Sequence, residues 1–249
     1  MQILIYIIKR LLQAIPLLFI VSVMSFFIIR LSPVDPLAEL RINPSISQET
    51  LKAEEQRLGL DKPLPVQYIL WLKSFLRGDL GVSVTGEKVS TKLMERIPNT
   101  LLLTTVVILL TWMVGIPVGI YAALHWKQPI DRLLTVLTSI GMAIPSFFFA
   151  LLLLIFAVKT GWFPTGGLTG YNYSTLTPWG KFLDIAHHLV LPVIVLFTVS
   201  LSGLQRQMRG NLLDVLGADY IKFARAKGLS ENKVIYKHAL RNAINPMVT

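Results

Sequence analysis

Three long apolar stretches of the chain carry no charge at all: residues 11–29, 99–124 and 133–158, of 19, 26 and 26 residues. About 20 apolar residues in a helix cover the hydrocarbon core of a bilayer. In hydrocarbon the backbone must satisfy its own hydrogen bonds, so runs of this kind are restricted to membrane-spanning helices. A fourth run, 185–204, is weaker, because His187 and His188 start it and Pro192 interrupts it. Charged residues are only 15% of the chain, against about 25% in soluble proteins. These features predict an all-α polytopic membrane protein.

Charge sets the expected orientation. The net charge of +10 is unevenly spread: residues 31–98 hold nine basic and nine acidic residues, and residues 205–241 hold eight basic and three acidic. Positive charge beside membrane spans marks the cytoplasmic side, which accounts for the excess without nucleic acid as a partner. Residues 1–30 then form a first helix with its amino end inside. Residues 31–98 form an extracytoplasmic subdomain, and residues 99–249 a core with spans at 99–124, 133–158 and 185–204. A cleaved signal peptide is the rival for the first run, but its apolar core is long and no small-residue cleavage pattern follows Ile29.

Residues 205–246 make a basic cytoplasmic loop. Within it Tyr220, Phe223, Ala224 and Lys227 recur at helical spacing. Gly228 permits a left-handed turn, and Ser230 is placed to cap the next helix. Val234, Ile235, His238 and Ala239 then share a face up to Pro246, where the helix is expected to end. The pattern predicts helix, glycine turn, helix. By residues alone it fits a docking element or an ordinary helical loop.

Within the spans, Gly115 and Gly119 give a small-xxx-small pair flanking Pro117. Ser139, Pro145 and Ser146 break the middle of the third span, and Ser200 lies on the inner half of the fourth. These are candidate pathway or gate positions. In the outer segment, Ser47 is expected to cap a helix over 49–58. Residues 65–76 read as a second helix with Tyr68, Leu72 and Phe75 in a stripe beside Trp71.

Several chemistries are disfavoured. Cysteine is absent, which removes disulfides and thiolate metal sites, and four scattered histidines do not suggest a metal centre. Residues 81–90, GVSVTGEKVS, approach a phosphate-binding loop, but Glu87 stands where that loop needs lysine. A proton-coupled carrier or membrane enzyme would call for ionisable groups within the spans. A structural scaffold would leave the patterned loop without a reason.

Ala224-Arg225-Ala226-Lys227-Gly228, with His238, Arg241, Asn242 and Pro246 beyond, resembles the EAA coupling loop of ABC importer permeases of the dipeptide/oligopeptide/nickel group. Phe223-Ala224 stand in place of the acidic first residue. Leu31-Ser32-Pro33-Val34-Asp35-Pro36 is similar to that group's signature after the first helix, with Val34 replacing a glycine. Residues 58–63, 67–68, 77–81 and 161–164 match it as well.

The resemblance implies a type I transmembrane domain with four of an expected six helices, the chain reaching only the start of a fifth. It implies import of short peptides, or of nickel or another small solute, across the inner membrane. The expected partners are a second homologous permease subunit, two ATPase subunits carrying ATP and magnesium, an extracytoplasmic solute-binding protein and the lipid bilayer. This chain would hold no cofactor and perform no covalent chemistry. Ala224, Gly228 and Arg241 are the residues expected to contact or shape the ATPase docking site.

Overall fold

The computed structural model describes residues 2–31, 37, 41–42, 47–57, 59–83 and 87–248. The signature at 32–36 and the phosphate-loop lookalike at 84–86 lie outside the described residues, as do Leu58 and Pro44. Among the described residues the chain is helical, with one isolated β-bridge between Val82 and Lys88. It divides into two compact units, residues 1–96 and 97–249.

In the first unit α1 spans Gln2–Leu31, α2 Gln48–Arg57 and α3 Leu64–Leu76. The expected aromatic stripe of α3 faces α1. Tyr68 is buried, its hydroxyl lies 2.8 Å from that of Ser22, and its ring meets Phe26 edge-on at 5.4 Å. Trp71 adds a second contact with Phe26 at 5.9 Å. Ser47 lies ahead of α2, and its hydroxyl accepts the Thr50 amide at 3.2 Å, as a cap should.

Helix α4 (Val89–Leu124) contains the second uncharged run and continues through Pro98 and Pro117. Helices α5 (Pro129–Ala143) and α6 (Ser146–Thr160) divide the third run. They meet at 88° across Ile144 and Pro145. Proline lacks an amide hydrogen and disfavours helical geometry in the residue before it, so Ile144 is extended, with ψ of 121°. The third run is therefore two helices at a right angle, where the sequence indicated only an interruption. Helix α6 ends at Gly161, whose φ of +67° is left-handed.

Helix α7 (Pro178–Gly217) extends the fourth run at both ends. Pro178 opens it, and the Thr177 hydroxyl accepts the Gly180 amide. His187 and His188 thus lie well inside the helix, which starts earlier than expected. His187 bonds the carbonyl of Trp162 at 2.8 Å, and His188 that of Asp184 at 2.8 Å, so both histidines have structural partners. Forty residues of helix reach about 60 Å, roughly twice the hydrocarbon thickness, so the part after Leu204 extends beyond a span.

Three helices are long and apolar enough to cross a membrane among the described residues: 4–31, 89–124 and 178–217. The bent α5–α6 pair makes a fourth if it counts as one broken span. The chain ends in α8 (Asp219–Ala226), then α9 (Glu231–Lys233), a π-helical segment (Val234–Ala239) and α10 (Leu240–Val248), the last three continuous.

Candidate functional site: the hairpin on the end of α7

The 219–248 hairpin closes over the far end of α7. Met208 and Leu212 of α7 are fully buried, as are Ile221 of α8 and Val234, Ala239 and Ala243 beyond the turn. Ala123 at the end of α4 joins the same cluster. Alanines at 224, 239 and 243 keep the helices close, and the Asn211 amide group donates to the Ala243 carbonyl at 3.2 Å. The hairpin has too little apolar surface to fold by itself, and α7 supplies the rest.

Gly228 makes the turn, with φ of +76° and open space where a side chain would start. Its amide reaches the Arg225 carbonyl at 2.9 Å. The Arg225 guanidinium spans the turn to Glu231, at 2.5 and 3.1 Å. That pairing holds the Glu231 carboxyl below its usual range and raises Arg225, in both cases chiefly through the side-chain hydrogen bond.

Four sequence expectations on the hairpin need correction. The buried face of α8 is Ile221 and Ala224, while Tyr220, Phe223 and Lys227 are exposed, with the Lys227 ammonium 4.6 Å from the Phe223 ring centre. Ala224, expected against a partner, is 9% exposed and packs within the hairpin core, whereas Ala226 faces outward. Ser230 stands at the N-cap position of α9 but makes no side-chain cap bond; its carbonyl instead receives the Lys233 and Val234 amides.

Pro246, expected to stop the helix, lies inside α10. Proline removes the bond to the carbonyl four residues back. Both Asn242 and Pro246 are exposed, so solvent can take that bond's place. His238 is half-buried within the π-helical segment, and Arg241 is exposed on the next turn. Of the residues singled out on the hairpin from the sequence, the exposed ones are therefore Tyr220, Phe223, Ala226, Lys227, Gly228, Arg241, Asn242 and Pro246.

The candidate pathway residues are spread over three places. Gly115 and Gly119 sit where α4 meets α7: an added Cβ would lie 3.0 Å from Leu204 at the first, and 2.7 Å from the Met208 Cβ at the second. Pro117 faces away, exposed. Ser139, Pro145 and Ser146 are exposed on α5 and at its junction with α6. Ser200 lines a cleft of about 340 Å³ with Thr111, Trp112, Gly203 and Gln207 between α4 and α7.

Nearby lies an ion pair whose carboxylate is buried and whose guanidinium is half-buried. Asp131 is 3% exposed, and Arg209 clamps it through two bonds of 2.6 and 2.8 Å. The partners stand 78 residues apart, which hid the pairing from any local pattern.

Comparison with known proteins agrees with this layout. Residues 115–249 match the family described as binding-protein-dependent transport system inner membrane component, and residues 3–104 match its N-terminal companion family. The oligopeptide transport system permease protein AppB of Bacillus subtilis is 44% identical over 247 residues, 98% of this chain and 76% of that protein. The di/tripeptide transport system permease protein DppB of Pseudomonas aeruginosa is 36% identical, over 98% of this chain and 77% of its own length. The glutathione transport system permease protein GsiC of Salmonella paratyphi A is 37% identical, over 98% and 75%. The chain therefore belongs to the binding-protein-dependent transport system inner membrane component family, the multi-pass permeases of ATP-binding-cassette importers.

Proposed function

We propose that the protein forms half of a translocation pathway for short peptides, with a second, homologous permease subunit forming the other half. ATP and magnesium reside on two separate ATPase subunits, and an extracytoplasmic solute-binding protein delivers the peptide. The amino terminus and the 219–248 hairpin lie on the cytoplasmic side, and residues 31–98 on the outside.

The observation that carries this reading is the union of the hairpin with α7. One face of the hairpin is locked to Met208 and Leu212, and the other presents Phe223, Ala226, Lys227 and Arg241. A handle built this way cannot shift without moving α7. Closure of the ATPase subunits would draw the handles of two permeases together, and helices that have two packings convert that pull into inward-open and outward-open states. The ligand and nucleotide shift the balance between packings; the permease itself makes and breaks no covalent bond.

The test is uptake of a labelled tripeptide into proteoliposomes holding the full-length protein with its permease and ATPase partners and the binding protein. The expected result is uptake that requires ATP and the binding protein. Uptake that persists without ATP contradicts the proposal, and uptake of labelled nickel in place of peptide replaces the substrate while leaving the machinery in place.

A further inference from the structure

The contact between α5 and α7 is a polar seam. On α5, Asp131, Thr138 and Gly141 fall on one face; on α7, running the opposite way, Arg209, Gln205 and Ser202 face them. Arg209 grips Asp131 at 2.6 and 2.8 Å, and the Thr138 hydroxyl donates to the Gln205 side-chain oxygen at 3.1 Å. A Cβ at Gly141 would lie 2.8 Å from the Ser202 hydroxyl. Gln205 is 1% exposed, and its side-chain nitrogen has no partner among the described residues.

Asp131 does more than pair with Arg209. Its second carboxylate oxygen also accepts the Lys127 amide at 3.1 Å. Lys127 has φ of +66°, a left-handed conformation that is unfavourable for a residue with a side chain. One carboxylate thus fixes both the α4–α5 turn and the register of α5 on α7.

We propose that the Asp131–Arg209 pair is a positioning link that carries displacement of the hairpin to the α5–α6 bend. This rests on the coupling role given to the hairpin above. Arg209 follows Met208 and lies one turn before Leu212, the two α7 residues that hold the hairpin. From Asp131 to Ala143 the chain is a single helix of about 20 Å, ending at the 88° bend. Interdigitated apolar side chains hold register by shape alone. A two-pronged guanidinium–carboxylate clamp has one favoured geometry, so an axial shift of α7 is transferred to α5 rather than lost at the interface.

The test compares the wild-type complex with D131N and with D131L/R209M in the same proteoliposomes. Removing one partner leaves a buried charge unpaired and destabilises, whereas replacing both by apolar residues is often neutral, so the double variant serves if D131N fails to accumulate. Three quantities are measured: ATPase-subunit co-purification, ATP hydrolysis and tripeptide uptake. The link predicts retained association and retained basal hydrolysis, with uptake per ATP hydrolysed lower by about fivefold or more.

Unchanged uptake per ATP in either variant overturns the proposal. So does loss of ATPase-subunit association in D131L/R209M, which would make the pair a structural support only. A wild-type complex that binds ATPase subunits but imports nothing on ATP overturns the functional reading itself, and the link with it.

Discussion

The side-chain amide of Asn242 donates to the Tyr220 hydroxyl at 2.9 Å, joining the two arms of the hairpin on its exposed side. The same amide also reaches the His238 carbonyl at 3.2 Å, which orients it along its own helix. A solvent-facing bond of this kind contributes about 0.5–1.5 kcal/mol at most. Tyr220→Phe should therefore lower the thermal midpoint of the full-length protein in detergent only slightly. Ile221→Ala removes a side chain buried between helices, and should cost about 2–5 kcal/mol. Equal effects of the two substitutions would show that the core assignment is wrong.

Gly228 isolates backbone conformation from packing. With no atom within 4 Å of an added Cβ, a substitution there meets only the strain of φ +76°, about 1–2 kcal/mol for a residue with a side chain. Gly228→Val should leave membrane insertion intact and weaken stimulation of ATP hydrolysis by the assembled complex. Stimulation at the wild-type level would remove the turn from the coupling role.

Gly119 presents the opposite case. An added methyl would meet the Met208 Cβ at 2.7 Å and the Gln205 carbonyl at 2.9 Å, and one of these contacts is backbone that cannot rotate away. Gly119→Ala should cost about 1–3 kcal/mol as α4 is pushed from α7. The amount of folded protein in the membrane, read by gel-filtration recovery after heating, should fall well below that for Gly203→Ala, where the space is open.

Acid should loosen the turn between α8 and α9. Arg225 holds the Glu231 carboxyl below its usual value, so the pair contributes stability that is fully present above the unfolded value of about 4.3. That contribution is lost as pH falls through the folded value. Both partners are partly exposed, at 41% and 55%, which keeps the effect under about 1 kcal/mol. Glu231→Gln should lower stability by that amount at neutral pH, and the difference from wild type should vanish as pH falls through the folded value of Glu231. A difference that persists undiminished at acid pH, or appears only there, would contradict the assignment.

Much of the architecture was legible because long uncharged runs have few structural outcomes. Gly228 was legible for a related reason, since a glycine between two amphipathic stretches marks a turn. The face that α8 buries was not. An eight-residue helix offers overlapping sets of apolar positions, and Tyr220 with Phe223 outweighs Ile221 in a count of bulk. The choice is made by Met208 and Leu212 on another helix, which local spacing does not register. Proline at 145 announced a break, but the 88° between α5 and α6 depends on what each helix packs against. Asp131 and Arg209 looked like two ordinary charges near membrane ends until α5 and α7 brought them together.

Sidedness and contact at Phe223 test the central claim most directly. No cysteine occurs in these 249 residues, so Phe223→Cys, made in the full-length protein with any cysteine elsewhere replaced, provides a single reactive thiol on the exposed face of the hairpin. An impermeant maleimide is added to inside-out and right-side-out membrane vesicles, with and without the ATPase subunits. The account predicts labelling of inside-out vesicles only, and protection from it when the ATPase subunits are bound. Labelling of right-side-out vesicles, or equal labelling with and without those subunits, would contradict it.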